Sequence, residues 1–199
     1  MRRLLMVLLL ACVSLPVMAD SPNAVVEEAA ELLASQVGGR KEELSADRPA
    51  LYAVINEILL PRFDRKYAAQ LVLGKHWRSA DSGQRQRFID AFYNSLLRRY
   101  ADGVLEYDQD KVQILPFRGD DSKARTMVRS YVLLDDGSKV PVNYGLVKRE
   151  NGWLLFDVTI EGVSYVRNYR AELESEIRTS DLEAVIQRLE KEAVATTDG

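Results

Sequence analysis

The side chains that most often carry catalysis are scarce in this sequence. Its 199 residues include one histidine, His76, and one cysteine, Cys12. A single imidazole would have to supply the base of any histidine-dependent hydrolase and the only histidine of any metal site, so His76 is predicted to be a surface or capping residue. Cys12 lies in a segment that we expect to be removed, which leaves no thiol chemistry, disulfide or thiolate metal site.

Ser164 and Asp157 are the other candidates for chemistry. Residues 162–166 begin like a nucleophile elbow, but they lack its final glycine and follow an antiparallel strand, so Ser164 is interpreted as an N-terminal helix residue. Asp157 lies on the strand face opposite Leu154, Phe156 and Val158. It is either a solvent-facing or salt-bridged strand residue, with Arg125 and Arg129 as neighbours, or a functional carboxylate.

Motifs for cofactors and metals are absent from the sequence. It contains no phosphate-binding loop, dinucleotide fingerprint, HExxH zinc motif or calcium-binding loop. The acidic pairs at 108–110 and 120–121 are more simply explained as solvated turns. The sequence therefore predicts no enzyme activity, no catalytic residue, no metal site and no cofactor.

The N-terminal segment has the pattern of a secretory signal peptide. Arg2 and Arg3 precede an apolar run from 4 to 13, which is too short to span a bilayer, and Ala19 fits a cleavage site. Residues 9–12 also resemble a lipobox, but the chain continues apolar after Cys12. We expect residues 1–19 to be removed, a single domain over 20–192 and a flexible tail over 193–199.

Cleavage after residue 19 changes the charge balance. It leaves 25 basic and 30 acidic residues, a formal charge of −5. Binding to nucleic acid requires a basic surface, so a nucleic-acid partner is not expected. The basic residues Arg62, Arg65, Lys66, Arg98 and Arg99 either steer acidic partners or form solvated helix faces.

The apolar pattern changes from helical to strand-like along the chain. Helices are predicted from Ser21 to about 37, after Pro49 to about 60, over 63–73, and from the capping box of Asp81 and Gln84 to about 100. Strands follow at 112–114, 126–134, 140–147 and 153–160, with tight turns at 135–137 and 150–152. Two closing helices come after Gly162.

This order of elements predicts an α+β fold, with helices covering one face of an antiparallel sheet. Apolar side chains are abundant both on the fourth predicted helix and on the strands. They could form an ordinary packed core or line a cavity, and the residues alone favour the core, because protein interiors pack densely.

Several ordered segments resemble the MlaC family over residues 24–192. In the first half they are 58–64, 73–74, Trp77, 84–85, Phe88, Phe92 and Tyr100. In the second half they are 140–144, 152–153, 157–158, Ile160, 162–164, 168–170 and the helix at 182–189. The resemblance implies an NTF2-like cone, in which helices and a curved antiparallel sheet enclose an apolar pocket.

The same resemblance implies a periplasmic phospholipid carrier that acts in toluene tolerance and outer-membrane lipid asymmetry. Its partners would be phospholipid, an outer-membrane lipoprotein complex and an inner-membrane ABC transporter, and we expect a monomer. Phospholipid would be cargo and not a cofactor. Shared inward periodicity predicts that the acyl tails are bound by Phe88, Phe92, Leu96, Val128, Val132, Val142, Tyr144, Leu146, Phe156, Val158, Val163 and Tyr169.

Two other functions are compatible with such a fold. One is an enzyme of the ketosteroid-isomerase kind, in which Asp157 acts in an apolar cavity with a raised pKa. The other is an envelope adaptor with a filled core that binds no lipid.

Overall fold

The computed structural model describes residues 21–194, so the predicted signal peptide and residues 195–199 lie outside the described part of the chain. Its helices are α1 (Pro22–Val37), α2 (Lys41–Ala46), α3 (Arg48–Leu59), α4 (Arg65–Leu73), α5 (His76–Ser79), α6 (Ser82–Leu105), α7 (Tyr165–Thr179) and α8 (Leu182–Val194). Its strands are β1 (Val112–Ile114), β2 (Arg125–Leu133), β3 (Lys139–Arg149), β4 (Gly152–Ile160) and β5 (Val163–Ser164).

Side-chain caps fix where the principal helices begin. The Ser21 hydroxyl accepts a hydrogen bond from the Ala24 amide at the start of α1, and Asp47 and Asp64 do the same for α3 and α4. Asp81 and Gln84 form the predicted capping box at the start of α6. Each cap satisfies an amide that has no partner within its helix.

The five strands form one antiparallel sheet in the order β1-β2-β3-β4-β5. Gly137 and Gly152 have positive φ at the turns between β2 and β3 and between β3 and β4, a backbone conformation that glycine adopts without strain. The register between β3 and β4 shifts beside Gly145, so that Phe156 is left without a partner. This bulge changes which β4 side chains share a face.

Three apolar clusters hold the helices to each other and to the sheet. Phe88, Leu173 and Ile186 belong to a cluster between α6, α7 and α8. A second cluster joins α2 and α3 to the C-terminal half of α6 through the fully buried Leu44 and Leu51. In the third, α1 packs on the sheet.

The α1 cluster covers only part of the sheet. Val25 and Val26 of α1 pack with Val128, Leu146, Trp153 and Leu155, all less than a tenth exposed. The part of β4 that follows the bulge lies beyond this cluster and faces α6 and α7 instead. The predicted α+β fold, with helices on an antiparallel sheet, is confirmed, and no helix within residues 21–194 is long and apolar enough to cross a membrane.

Candidate functional site

A cavity of about 330 Å³ lies between α3, α6, α7 and the end of β4. Its wall is apolar or aromatic at nearly every position. The helices before the sheet contribute Ile55, Leu59, Phe63, Ala68, Phe92, Tyr93, Leu96, Leu97, Tyr100, Ala101 and Val104. The end of β4 and the start of α7 contribute Phe156, Asp157, Val158, Ile160, Tyr165, Val166 and Tyr169.

The cavity runs along α6 from the interior to the surface. Phe92 is 4% exposed, whereas Tyr100 is 40% exposed. These two residues are separated by eight positions, or about 12 Å of helix at 1.5 Å per residue. The wall is therefore buried at Phe92 and exposed at Tyr100, and we call the Tyr100 end the mouth.

Aromatic rings line the wall between these two ends. The Phe92 ring meets the edge of Tyr169 at 5.3 Å between centroids, and Tyr100 meets Tyr165 at the same distance and in the same arrangement. Edge-to-face pairs of this kind are favourable beyond the area that they bury. Packed aromatic pairs therefore make up much of this part of the wall.

Polar atoms on the wall belong mainly to tyrosines. The Tyr93 hydroxyl donates to Asn56 Oδ1 at 2.7 Å, and burial raises the pKa of Tyr93 to about 12. At the mouth the hydroxyls of Tyr100 and Tyr169 are 3.0 Å apart, and Arg99 Nη1 donates to Tyr169 at 3.1 Å. Burial and the Tyr169 hydroxyl raise the pKa of Tyr100 to about 12, so the phenols of Tyr93 and Tyr100 stay protonated at neutral pH.

Asp157 supports the start of α7. One carboxylate oxygen accepts a hydrogen bond from the Ser164 hydroxyl at 2.6 Å and the other from the Val166 amide at 3.0 Å. Ser164 Oγ in turn accepts from the Arg167 amide, so it caps the helix as the sequence predicted. With both of its oxygens engaged, Asp157 has a structural task that fully explains its position.

His76 is not among the residues that line the cavity. Its Nε2 lies 2.9 Å from a Glu174 oxygen, and Lys75 contacts the other oxygen of the same carboxylate. Within residues 21–194 no group of three or more histidine, cysteine, aspartate and glutamate side chains could hold a metal ion.

Comparison with known proteins identifies the family. The MlaC protein family profile matches residues 27–191. The chain belongs to the MlaC family. Its relatives include the toluene tolerance protein ttg2D of Pseudomonas putida, which is 31% identical over 85% of this chain and 79% of the relative.

A second MlaC relative is the intermembrane phospholipid transport system binding protein MlaC of Haemophilus influenzae, 24% identical over 74% of this chain and 71% of the relative. The fold also matches a phospholipid-binding protein from Ralstonia solanacearum, whose structure contains a phospholipid. The TM-score is 0.78 at 24% identity, over 89% of this chain and 98% of that one.

Five of the twelve residues predicted to bind tails in this MlaC family member line the cavity: Phe92, Leu96, Phe156, Val158 and Tyr169. Phe88, one turn earlier on α6, is fully buried in the cluster with α7 and α8 and stacks on Phe92 at 5.5 Å. Val163 is 57% exposed on β5. Seven of the twelve residues predicted to contribute most of the tail pocket therefore lie outside the lining of this cavity.

The other five predicted residues lie on β2 and β3. Val128, Tyr144 and Leu146 pack in or against the α1 cluster, so a helix already covers them. Val142 is buried and pairs with the lining residue Ile160, while Val132 pairs with Val112 at the far edge of the sheet. The period-two pattern identified apolar strand faces, but it does not show which helix covers which part of a face.

The lining residues that the sequence missed come mainly from helices. Ile55 and Leu59 lie one turn apart on α3, and Leu97, Ala101 and Val104 follow the same spacing on α6. The sequence did carry a signal for the residues on α6, because the helical spacing of apolar residues continues to 105. The helix was predicted to end near 100, so this part of the pattern was not used.

Proposed function

We propose that this chain is a periplasmic phospholipid carrier that moves lipid, as a monomer, between an outer-membrane lipoprotein complex and an inner-membrane ABC transporter. By doing so it maintains the lipid asymmetry of the outer membrane. The observation that carries the proposal is the apolar cavity, whose wall is buried at Phe92 and exposed at Tyr100. Membership of the MlaC family and the phospholipid-related names of the relatives support it.

The energetics of a lipid in water explain why a carrier needs such a cavity. A phospholipid with about thirty methylenes gains roughly 24 kcal/mol on burial of its tails, at about 0.8 kcal/mol each. It therefore cannot cross an aqueous compartment unshielded. A carrier must match the burial that a bilayer offers without greatly exceeding it, because otherwise it would not release the lipid.

The size of the cavity predicts that its walls move. A volume of about 330 Å³ is near the lower end of the range for ligand pockets, about 300–1,000 Å³. We expect the cavity to widen as the tails enter. The tails need no reactive group from the protein, so we propose binding without catalysis.

A matched pair of substitutions tests the assignment of the cavity. Val158→Trp places a large ring in the cavity, whereas Val163→Trp places the same ring on the exposed surface of β5. If the new ring takes the space of two tail methylenes, the lost burial costs about 1.6 kcal/mol of binding free energy, which lowers the affinity for phospholipid more than tenfold. Native mass spectrometry and organic extraction should therefore find phospholipid in the parent chain and in Val163→Trp, and little in Val158→Trp.

The same measurement can contradict the proposal. If the parent chain gives a lipid-free mass even after incubation with phospholipid vesicles, the carrier function is wrong. If Val158→Trp retains as much lipid as Val163→Trp, the tails are bound elsewhere in the protein.

A further inference from the structure

The mouth of the cavity carries a cation that has no carboxylate partner among residues 21–194. Arg99 is exposed on α6, and its guanidinium lies over the Tyr169 ring at 5.7 Å from the centroid. Within the described part of the chain it forms no ion pair within 4.0 Å, in contrast to Arg87 on the same helix, which pairs with both Glu183 and Glu190. Glu172 acts on Arg99 only through its longer-range charge.

At the mouth, Arg99 and the two tyrosine hydroxyls have more hydrogen-bond donors than their contacts with one another use. A guanidinium has five N–H donors, and Arg99 uses one of them on Tyr169. Of the two hydroxyl hydrogens of Tyr100 and Tyr169, their mutual hydrogen bond uses one. The remaining N–H groups and one phenol O–H are available to an acceptor outside the protein.

The hydrogen-bond donors at the mouth lie next to the apolar wall of the cavity. Tyr100 and Tyr169 both line the cavity, so their hydroxyls mark the boundary between the donor group and the space for the tails. A ligand that fills both regions has an anionic oxygen head joined to hydrocarbon. Arginine suits a phosphate better than lysine does, because its planar fork can donate two parallel hydrogen bonds.

We propose that Arg99, with the hydroxyls of Tyr100 and Tyr169, binds the phosphate of a phospholipid whose tails occupy the cavity. This proposal rests on the proposed carrier function and deepens it, since it assigns the headgroup end of the site. The phosphate keeps its contact with water because Tyr100 and Arg99 are exposed. It thereby avoids the large cost of burying an anion.

A comparison of ligands with and without a phosphate tests this assignment. The full-length chain, freed of lipid, is titrated calorimetrically with dihexanoylphosphatidylglycerol, with the uncharged dihexanoylglycerol and with inorganic phosphate. The parent chain should bind the phospholipid more tightly than the diacylglycerol. In Arg99→Gln the dissociation constant for the phospholipid should rise about tenfold, while that for the diacylglycerol stays the same.

Arg98→Gln is the matched control. Arg98 is the neighbouring cation on α6, but its guanidinium lies over the Tyr52 ring, whereas that of Arg99 lies over the lining residue Tyr169. Its removal changes the overall charge equally and should leave the preference for phospholipid intact. Tyr100→Phe keeps the ring and removes the hydroxyl, so it should weaken the preference without weakening diacylglycerol binding.

Each other result has a distinct meaning. If Arg99→Gln affects both lipids equally, or neither, the headgroup assignment is wrong although the carrier function stands. A third result is that the parent chain binds inorganic phosphate but shows no preference for the phospholipid over the diacylglycerol. If that phosphate binding depends on Arg99, the site recognises free anions and the assignment to phospholipid is wrong. If the parent chain binds neither lipid, the carrier function itself fails.

Discussion

Asp157 shows how a single residue can suggest chemistry in the sequence and serve a structural role in the fold. Its carboxylate joins the end of β4 to Ser164 and to the first turn of α7. α7 carries Tyr165, Val166 and Tyr169 into the cavity wall. The residue therefore positions one side of the cavity.

Replacing Asp157 should consequently cost stability. Asp157→Ala removes a helix cap and leaves the buried Ser164 hydroxyl without its acceptor, so we expect the free energy of unfolding to fall by about 1–2 kcal/mol. Urea unfolding measures the change. Asp121→Ala, at an exposed loop position, is the control and should change the stability little.

An unchanged free energy of unfolding in Asp157→Ala would contradict this role. A measurable loss of a chemical rate in Asp157→Asn, on any substrate that fits the cavity, would instead favour the enzyme interpretation that the sequence left open.

At the scale of elements, local signals explain what the sequence predicted well. The caps at Ser21 and Asp81 and the turns at Gly137 and Gly152 depend on interactions within about four residues of chain. The principal helices and the four longer strands accordingly lie close to their predicted positions. The short elements α5 and β5 were missed, because a few residues cannot show a period.

The charged stretch 40–47 lies between the first two predicted helices, where the sequence predicts no element. α2 nevertheless forms within it and buries Leu44 completely. One leucine among charged residues gives little indication of burial. It is buried here because α2 packs on α3 and on α6, a tertiary contact that no local pattern reveals.

An ion-pair cluster joins α6 to α8. Arg87 donates to Glu183 and to Glu190, and these hydrogen bonds hold the pKa of each carboxyl below its ordinary value. A carboxyl with a depressed pKa in the folded state stabilises the fold above its unfolded pKa, and this contribution is lost as the pH falls through the folded pKa.

Acidification should therefore loosen α8, and Arg87 should account for part of the effect. We expect the unfolding free energy of the parent chain to fall between about pH 5 and pH 3, and to fall less steeply in Arg87→Gln. Urea unfolding at a series of pH values gives the two slopes. Equal slopes in the two proteins would show that the cluster contributes nothing.

At the scale of the whole molecule, the site was harder to predict than the fold. The sequence showed that α6 and the strands have apolar faces, and Phe92, Leu96 and Val158 do line the cavity. It could not show that α1 fills the space over Val128 and Leu146, since residues far apart in the chain form that contact. Nor did its period-two pattern reveal the bulge at Phe156.

The carrier function also makes a prediction about global stability. A ligand that binds only the folded state stabilises it by about 2.7 kcal/mol at a hundredfold excess over its dissociation constant. For a chain of this size this raises the melting temperature by about 5–10 °C. Calorimetry should show that rise when phospholipid is added to lipid-free protein, and a much smaller rise in Val158→Trp.

A melting temperature that does not respond to phospholipid in the parent chain would speak against binding to the folded state. A rise of the same size in Val158→Trp would place the binding site outside the cavity.

The division of the sheet between α1 and the cavity has a consequence for how such a protein can diversify. Val25, Val26 and Trp153 pack together in the α1 cluster, while Val158 and Ile160 at the other part of the sheet line the cavity. Under the proposed carrier function, substitutions at the second part are expected to alter the size and shape of the cargo while the packing of α1 on the sheet is kept. The architecture thereby separates the residues that define specificity from those that join the sheet to α1.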